Sequence, residues 1–173
     1  MDSLGQPSIN DFRTDLEFSL KKNDDKLINE KYFEAFPHLE KILVVNNLKL
    51  QKRGIDKIFI MTGGKRIMVD EKKRRKNYDD ILLEEYSDFE RKIVGWLDRK
   101  KYTDYISYII WPKRKLYLLP FLLLQKAWLA NYHQWLLTYG RKFAKNKNYT
   151  TSNIPIPTKV LLNVLKETLL LNL

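Results

Sequence analysis

The sequence contains no cysteine. That excludes a disulfide framework and thiolate metal sites, and it suits a reducing compartment. Histidine is nearly as scarce. His38 and His133 are the only two and lie far apart, so no imidazole-built metal centre is expected. A metal would have to be held by carboxylate oxygens, which points to a hard cation, Mg²⁺ or Mn²⁺. Long apolar runs are also missing. The longest, residues 116–124, is nine residues with Pro120 inside, whereas a membrane helix needs about 20. Met1-Asp-Ser-Leu-Gly-Gln has no basic stretch leading into an apolar one, so no secretory signal is expected. Together these absences predict a soluble, cytoplasmic protein without a membrane partner. At 173 residues the chain fits a single domain over 1–173, able to bury roughly two-thirds of its unfolded surface.

What is abundant is positive charge. Lys and Arg number 32 against 21 Asp and Glu, a net charge of +11. Such an excess favours polyanions, although Lys-rich composition alone can produce it. The placement is more telling. Lys65-Arg66, Lys72-Lys73-Arg74-Arg75-Lys76, Arg99-Lys100-Lys101 and Lys113-Arg114-Lys115 sit mid-chain rather than in a tail. They alternate with Tyr78, Trp96, Tyr102, Tyr105, Tyr108 and Trp111, side chains that either stack on bases or fill a core.

Local patterns then suggest the elements. Residues 1–10 are rich in Gly, Pro, Ser and Asn and read as a flexible start. Phe12, Leu16, Phe18 and Leu20 fit a short helix over 11–22, and Asn23-Asp24-Asp25 a cap for a second over 26–36, ended by Pro37. Residues 42–45 are a first strand or a helix end. Residues 55–61 are β-rich, Thr62-Gly63-Gly64-Lys65 is a hairpin turn, and 66–72 alternates strictly. Asp80 to Glu84 is another β-like run, and 86–98 is a short helix or loop broken at Gly95. Residues 102–111 and 116–119 read as two strands paired across 112–115. Residues 122–144 form a long helix, 149–157 is extended, and 159–171 is a last helix with Val160, Val164 and Leu165 inward. The class is α/β with a mixed sheet.

One constellation carries chemistry. Asp70 and Lys72, two apart on a strand, share a face. The hairpin brings Asp56, at the start of the preceding strand, beside them. Two neighbouring carboxylates repel unless a cation lies between them. A divalent ion could take both, with the backbone carbonyl of Glu71 and waters completing an octahedron. Lys72 would orient the nucleophile or stabilise the phosphate in flight. By spacing alone Asp-x-Lys is common and can be surface charge. The added features are Gly-Ile-Asp before a β run, a Gly-Gly turn, an apolar strand ending in Asp-x-Lys, and a basic run able to meet phosphates.

That arrangement, Gly54-Ile55-Asp56 followed by Val69-Asp70-Glu71-Lys72, resembles the PD-(D/E)XK nuclease superfamily of restriction-endonuclease-like enzymes. Residues 50–56, Asp80-Ile-Leu-Leu-Glu84 and Gly95-Trp96-Leu97 also resemble small phage and prophage members. The motif covers about residues 50–85 and the wider pattern most of the chain. The resemblance implies an αβββαβ core with additional C-terminal helices. It also implies Mg²⁺- or Mn²⁺-dependent hydrolysis of nucleic acid, with DNA the expected substrate. Asp56 and Asp70 would be metal ligands and Lys72 the catalytic lysine. Ile55 stands where Pro is usual, a tolerated departure. Many members add an acid from the first helix: Glu17 and Glu34 both qualify, with Glu17 favoured, and Glu84 is a further candidate. Gln125 and Tyr132, seven apart, match a Gln and Tyr of some exonuclease-like members, though an ordinary helical role fits them equally well. Gln51, Lys73, Arg74 and Arg75 are the expected nucleic-acid contacts. Many members of this superfamily form homodimers, but no interface is legible in this sequence.

Overall fold

Helix α1 (Lys22–Ala35) packs one face on a sheet: Ile28 and Tyr32, four residues apart, are buried there. The structure, a computed structural model, describes residues 22–76, 78–97 and 102–168. The expected helix over 11–22 lies outside these residues except for Lys22, as does its acid, Glu17. Helix α1 starts ahead of Asn23-Asp24-Asp25 rather than after it, and Pro37 follows its end.

Sheet A has five strands. Strand β1 (Leu39–Val44) pairs antiparallel with β2 (Lys57–Met61), and the short helix α2 (Leu48–Lys52) lies between them. Asn47 caps α2 by accepting the Lys49 and Leu50 amides. Strand β3 (Arg66–Arg74) returns antiparallel to β2 through a turn in which Gly63 and Gly64 hold φ of 82° and 81°, a conformation suited to glycine. Strand β4 (Asp80–Asp88) and the two-residue β5 (Ile93–Val94) follow. Next come β6 (Tyr105–Ile110) and β7 (Lys115–Pro120). Strand β6 runs parallel to β3 and β7 antiparallel to β6, so sheet A has the order β1-β2-β3-β6-β7.

Helix α3 (Phe121–Tyr139) then leads to β8 (Lys142–Lys145), β9 (Thr150–Pro157) and α4 (Thr158–Thr168). Strands β4, β5, β8 and β9 form an antiparallel sheet B in the order β5-β4-β9-β8. The architecture is thus mixed α/β, with a mixed sheet and helices at the C-terminal end.

Three expectations need correction. First, the β3-to-β6 crossover of the αβββαβ pattern would contain a helix. Among the described residues it contains β4 and β5, which pair in a different sheet. Second, the described part of 86–98, residues 86–97, is neither a helix nor simply a loop: Tyr86–Asp88 extends β4, and β5 pairs back on it. Third, the long helix stops at Tyr139. Gly140, at φ 65°, turns the chain, and 142–145 pairs with β9. Polar Lys142 and Lys145 and exposed Phe143 have no core face to offer a helix there. In α4 the buried residues are Thr158, Leu161 and Leu165, and the expected Val160 and Val164 pack, partly buried, against the same core.

The two faces of sheet A bury different cores. Phe59, Val69 and Ile109 face α1 with Ile28, Tyr32 and Leu39. Ile106, Tyr108 and Ile110 join the larger core with Ile81 and Leu83 of β4, Ile154 and Ile156 of β9, and α3 and α4. Alternation along β3 therefore sends Val69, Glu71 and Lys73 toward α1, and Asp70, Lys72 and Arg74 toward sheet B.

Candidate active site

Asp56 lies just before β2, where Gly54, at φ 79°, swings the chain out of α2. Its amide donates to the Val69 carbonyl at 2.9 Å, and its carboxylate accepts the Glu71 amide at 2.9 Å. Both bonds hold it against β3, beside Asp70, as the hairpin register requires (Lys57 opposite Val69). Asp70 is 1% exposed. Lys72 Nζ lies 2.5 Å from Asp70 Oδ1, with its side chain 32% exposed toward a cleft. The three residues expected to form the centre therefore do come together, on one face.

The electrostatics follow from that crowding. Burial, and then the charge of Asp70, push the Asp56 carboxyl up to about 6, against the pull of the Glu71 amide and Lys72. Burial alone would lower the Lys72 ammonium, but Asp70, with help from Asp56 and Glu84, outweighs it and holds Lys72 above the usual lysine range.

The cleft beside Lys72 has a volume of about 530 Å³. Lys72, Arg74 and Tyr108 of sheet A border it on one side, and Leu82, Glu84 and Asn153 of sheet B on the other. Gln51 and Lys52 of α2 close one edge. Gln51 donates its amide to the Val45 carbonyl at 2.8 Å, so its side chain is pinned in place. Glu84 reaches the cleft, and its Oε1 accepts the Trp96 amide at 3.2 Å. Gly95 has a reason other than chain breaking. A Cβ there would sit 1.9 Å from the Glu84 carbonyl oxygen, so only glycine lets this loop close on β4.

The remaining candidates are dispersed. Lys73 turns away and pairs with Asp25 of α1 at 2.9 Å. Arg74 grips the Asp80 carboxylate, donates to the Asp80 carbonyl at 2.6 Å and lies 5.0 Å from the Tyr78 ring centroid. Arg75 is partly exposed. Glu34 is not brought to the centre. It points outward from α1 and pairs with Lys31 one turn away, at 2.6 Å. Gln125 is likewise outside the cleft lining and donates to the Leu97 carbonyl at 2.7 Å. Tyr132 binds Glu85. Glu85 itself, one residue past Glu84, faces the opposite way and accepts from Arg141 Nε and Nη2, each at 2.6 Å, and from Ser152 at 2.8 Å.

Sequence reasoning missed the network directly behind the centre. Glu71 accepts the Tyr32 hydroxyl at 2.5 Å and Lys57 at 2.9 Å. Lys57 also donates to Asn29 at 2.9 Å, and the Ser107 hydroxyl donates to the Tyr32 oxygen at 2.7 Å. Lys57 is 4% exposed. Burial, then the Glu71 charge, raise the Tyr32 hydroxyl well above its ordinary value, so it remains a donor. The only advance signal was parity: Lys57 and Glu71 each sit one residue from an active-face acid, hence on the opposite face of adjacent strands.

The donor set suits a hard cation. Asp56 and Asp70 supply oxygens only, and the Glu71 carbonyl lies between Asp70 and Lys72 in the chain. Among the described residues no group of three Asp, Glu or His side chains is arranged around a metal position. Such a sparse set still fits Mg²⁺, which typically takes one or two carboxylates and completes its shell with water and substrate phosphate. No described helix is long and apolar enough to cross a membrane. Comparison with family models, curated proteins and solved structures gave no match for this chain.

Proposed function

We propose that this protein is a divalent-metal-dependent nuclease acting on DNA, with Asp56, Asp70 and Lys72 as its centre. The observation that carries the reading is their convergence on one face of the β2–β3 hairpin, where Lys72 reaches a cleft that also has Lys52 and Arg74 in its lining. Asp56 and Asp70 would hold Mg²⁺ or Mn²⁺ with the Glu71 carbonyl. When bound, such an ion lowers the pKa of a coordinated water and neutralises charge on the phosphate. Asp70, buried and ion-paired, keeps a fixed position. Lys72 presents a point charge at the cleft surface, where it can orient the attacking water or stabilise the phosphate oxygens. Lys52, exposed at the cleft edge, attracts the strand through its phosphates, with Arg74 beside it on the lining.

The test is cleavage of plasmid and of short duplexes. Activity should need Mg²⁺ or Mn²⁺ and vanish in EDTA. Asp70→Asn and Lys72→Ala should each lower the rate by at least about 10²-fold, with circular dichroism unchanged. Undiminished cutting by Asp70→Asn would place the chemistry elsewhere.

A DNA-binding module without catalysis is the second reading. It is favoured by the closeness of Lys72 to Asp70 and by the lack of a third carboxylate around the pair among the described residues. It predicts binding with a steep salt dependence and no cleavage in any metal.

A further inference from the structure

A second groove, of about 500 Å³, lies between β7 and α4 and is within the size range of small-ligand sites. Tyr117 and Leu162 are part of its apolar floor, and Lys115, Lys159 and Lys166 stand on its lining. Among the described residues none of these three lysines has a carboxylate within ion-pair distance. The acid on the lining, Asp79, is engaged by Lys113 at 3.2 Å.

Thr158 supplies the second observation. It opens α4, an 11-residue helix, and lines the groove. It is 5% exposed, and its Oγ1 is the buried side-chain polar atom left without a hydrogen-bond partner among the described residues. Native proteins rarely leave such a group unmatched. The first turn of α4, whose Thr158 amide donates to the Asp79 carbonyl at 3.0 Å, adds the positive end of the helix dipole.

Register ties this groove to the cleft. Arg74 on β3 aligns with Ile110 on β6, and Ile110 with Lys115 on β7. Two strand spacings separate Arg74 from Lys115, about 10 Å, or roughly three nucleotides at the rise of a stacked strand. Asp79 borders the groove, while its neighbour Asp80 holds Arg74 of the cleft. The cleft and the groove thus lie on the same face of sheet A, two strand spacings apart.

We propose that this groove binds one unpaired nucleotide of the DNA strand held in the cleft, an inference that rests on the nucleic-acid reading above. The base lies on the apolar floor by Tyr117 and Leu162, its polar edge meets Thr158 Oγ1, and its phosphate lies among Lys115, Lys159 and Lys166. A base inside a duplex is stacked and paired, so only an unstacked one can enter. The protein then selects duplexes with an overhang, gap or flap over blunt ones.

Fluorescence anisotropy in EDTA, at one salt concentration, tests this with a blunt duplex and the same duplex carrying short single-stranded ends. The overhang duplex should bind about tenfold more tightly, the scale of one base–aromatic stack. Leu162→Trp, which fills the groove, and Thr158→Val should each remove most of that preference and leave blunt-duplex affinity unchanged. Lys159→Gln, at an exposed position where folding is not at risk, should weaken overhang binding alone. Thr158→Val should also raise Tm by about 2–4 °C, because it deletes an unmatched buried hydroxyl. A wild-type chain that binds the blunt and overhang duplexes equally tightly overturns this inference and spares the nuclease reading. So does an unchanged preference in folded Leu162→Trp and Lys159→Gln. A chain that binds neither duplex overturns both readings.

Discussion

Replacing Lys57 by methionine should cost far more than the loss of one ion pair at a protein surface. Lys57 is 4% exposed, and its ammonium is 2.9 Å from both Glu71 Oε1 and Asn29 Oδ1. Its partner Glu71 has a side chain 11% exposed and also accepts the Tyr32 hydroxyl. Removing Lys57 leaves the Glu71 carboxylate with one neutral donor in a nearly dry site. Breaking a buried pair from one side typically costs about 3–5 kcal/mol, a large share of the 5–15 kcal/mol by which domains are stable. Glu71→Gln should cost a similar amount, because it strands the ammonium. In the double variant no charge is stranded, and glutamine still accepts from Tyr32, so its loss should fall well below the sum of the two. Urea unfolding of the four proteins gives the coupling energy directly, and about 2–3 kcal/mol is expected. Additive losses, with coupling under about 0.5 kcal/mol, would show that the pair is not energetically linked and that the network behind the centre is incidental. The network also sits on the back of β3, so the single variants should loosen Asp70 and Lys72 and lower cleavage along with stability.

Other outcomes follow from particular contacts. Burial pushes the Glu85 carboxyl up, but hydrogen bonds from Arg141, Tyr132 and Ser152 outweigh it and hold it below the usual range. A depressed folded value means stability that is present above the unfolded pKa, about 4.3, and lost as pH falls through the folded one. Glu85→Gln should therefore be less stable at neutral pH and lose less stability than wild type between about pH 5 and 3; parallel stability curves for the two proteins would contradict this. Gly95→Ala forces a methyl to within 1.9 Å of the Glu84 carbonyl, so the loop must shift. We expect a loss of about 1–3 kcal/mol in thermal unfolding and a changed Trp96 fluorescence, and a variant with wild-type values for both would rule out the close approach.

The sequence by itself determined the hairpin and the face that Asp70 and Lys72 share. Both are local facts. Gly63-Gly64 sets the turn, and a period of two with a tight hairpin leaves one register that brings Asp56 next to Asp70. The strand pair around 112–115 and the extended run before the last helix were legible for the same reason. Which strands share a sheet was decided by tertiary structure. Strand β4 looks like the next strand of sheet A in the sequence, yet it pairs with β9, where Ile81 meets Ile156 and Leu83 meets Ile154, and packs face to face on sheet A instead of joining it. Nothing local marks that choice, because a β-rich run does not name its partner. The same holds for the acids. Glu34 and Glu84 are alike as residues, but helix phase sends Glu34 to solvent while the strand that carries Glu84 turns it into the cleft. The basic run divides in the same way: alternation alone separates Lys72 from Lys73, but only the packing of α1 supplies Asp25 to neutralise the latter.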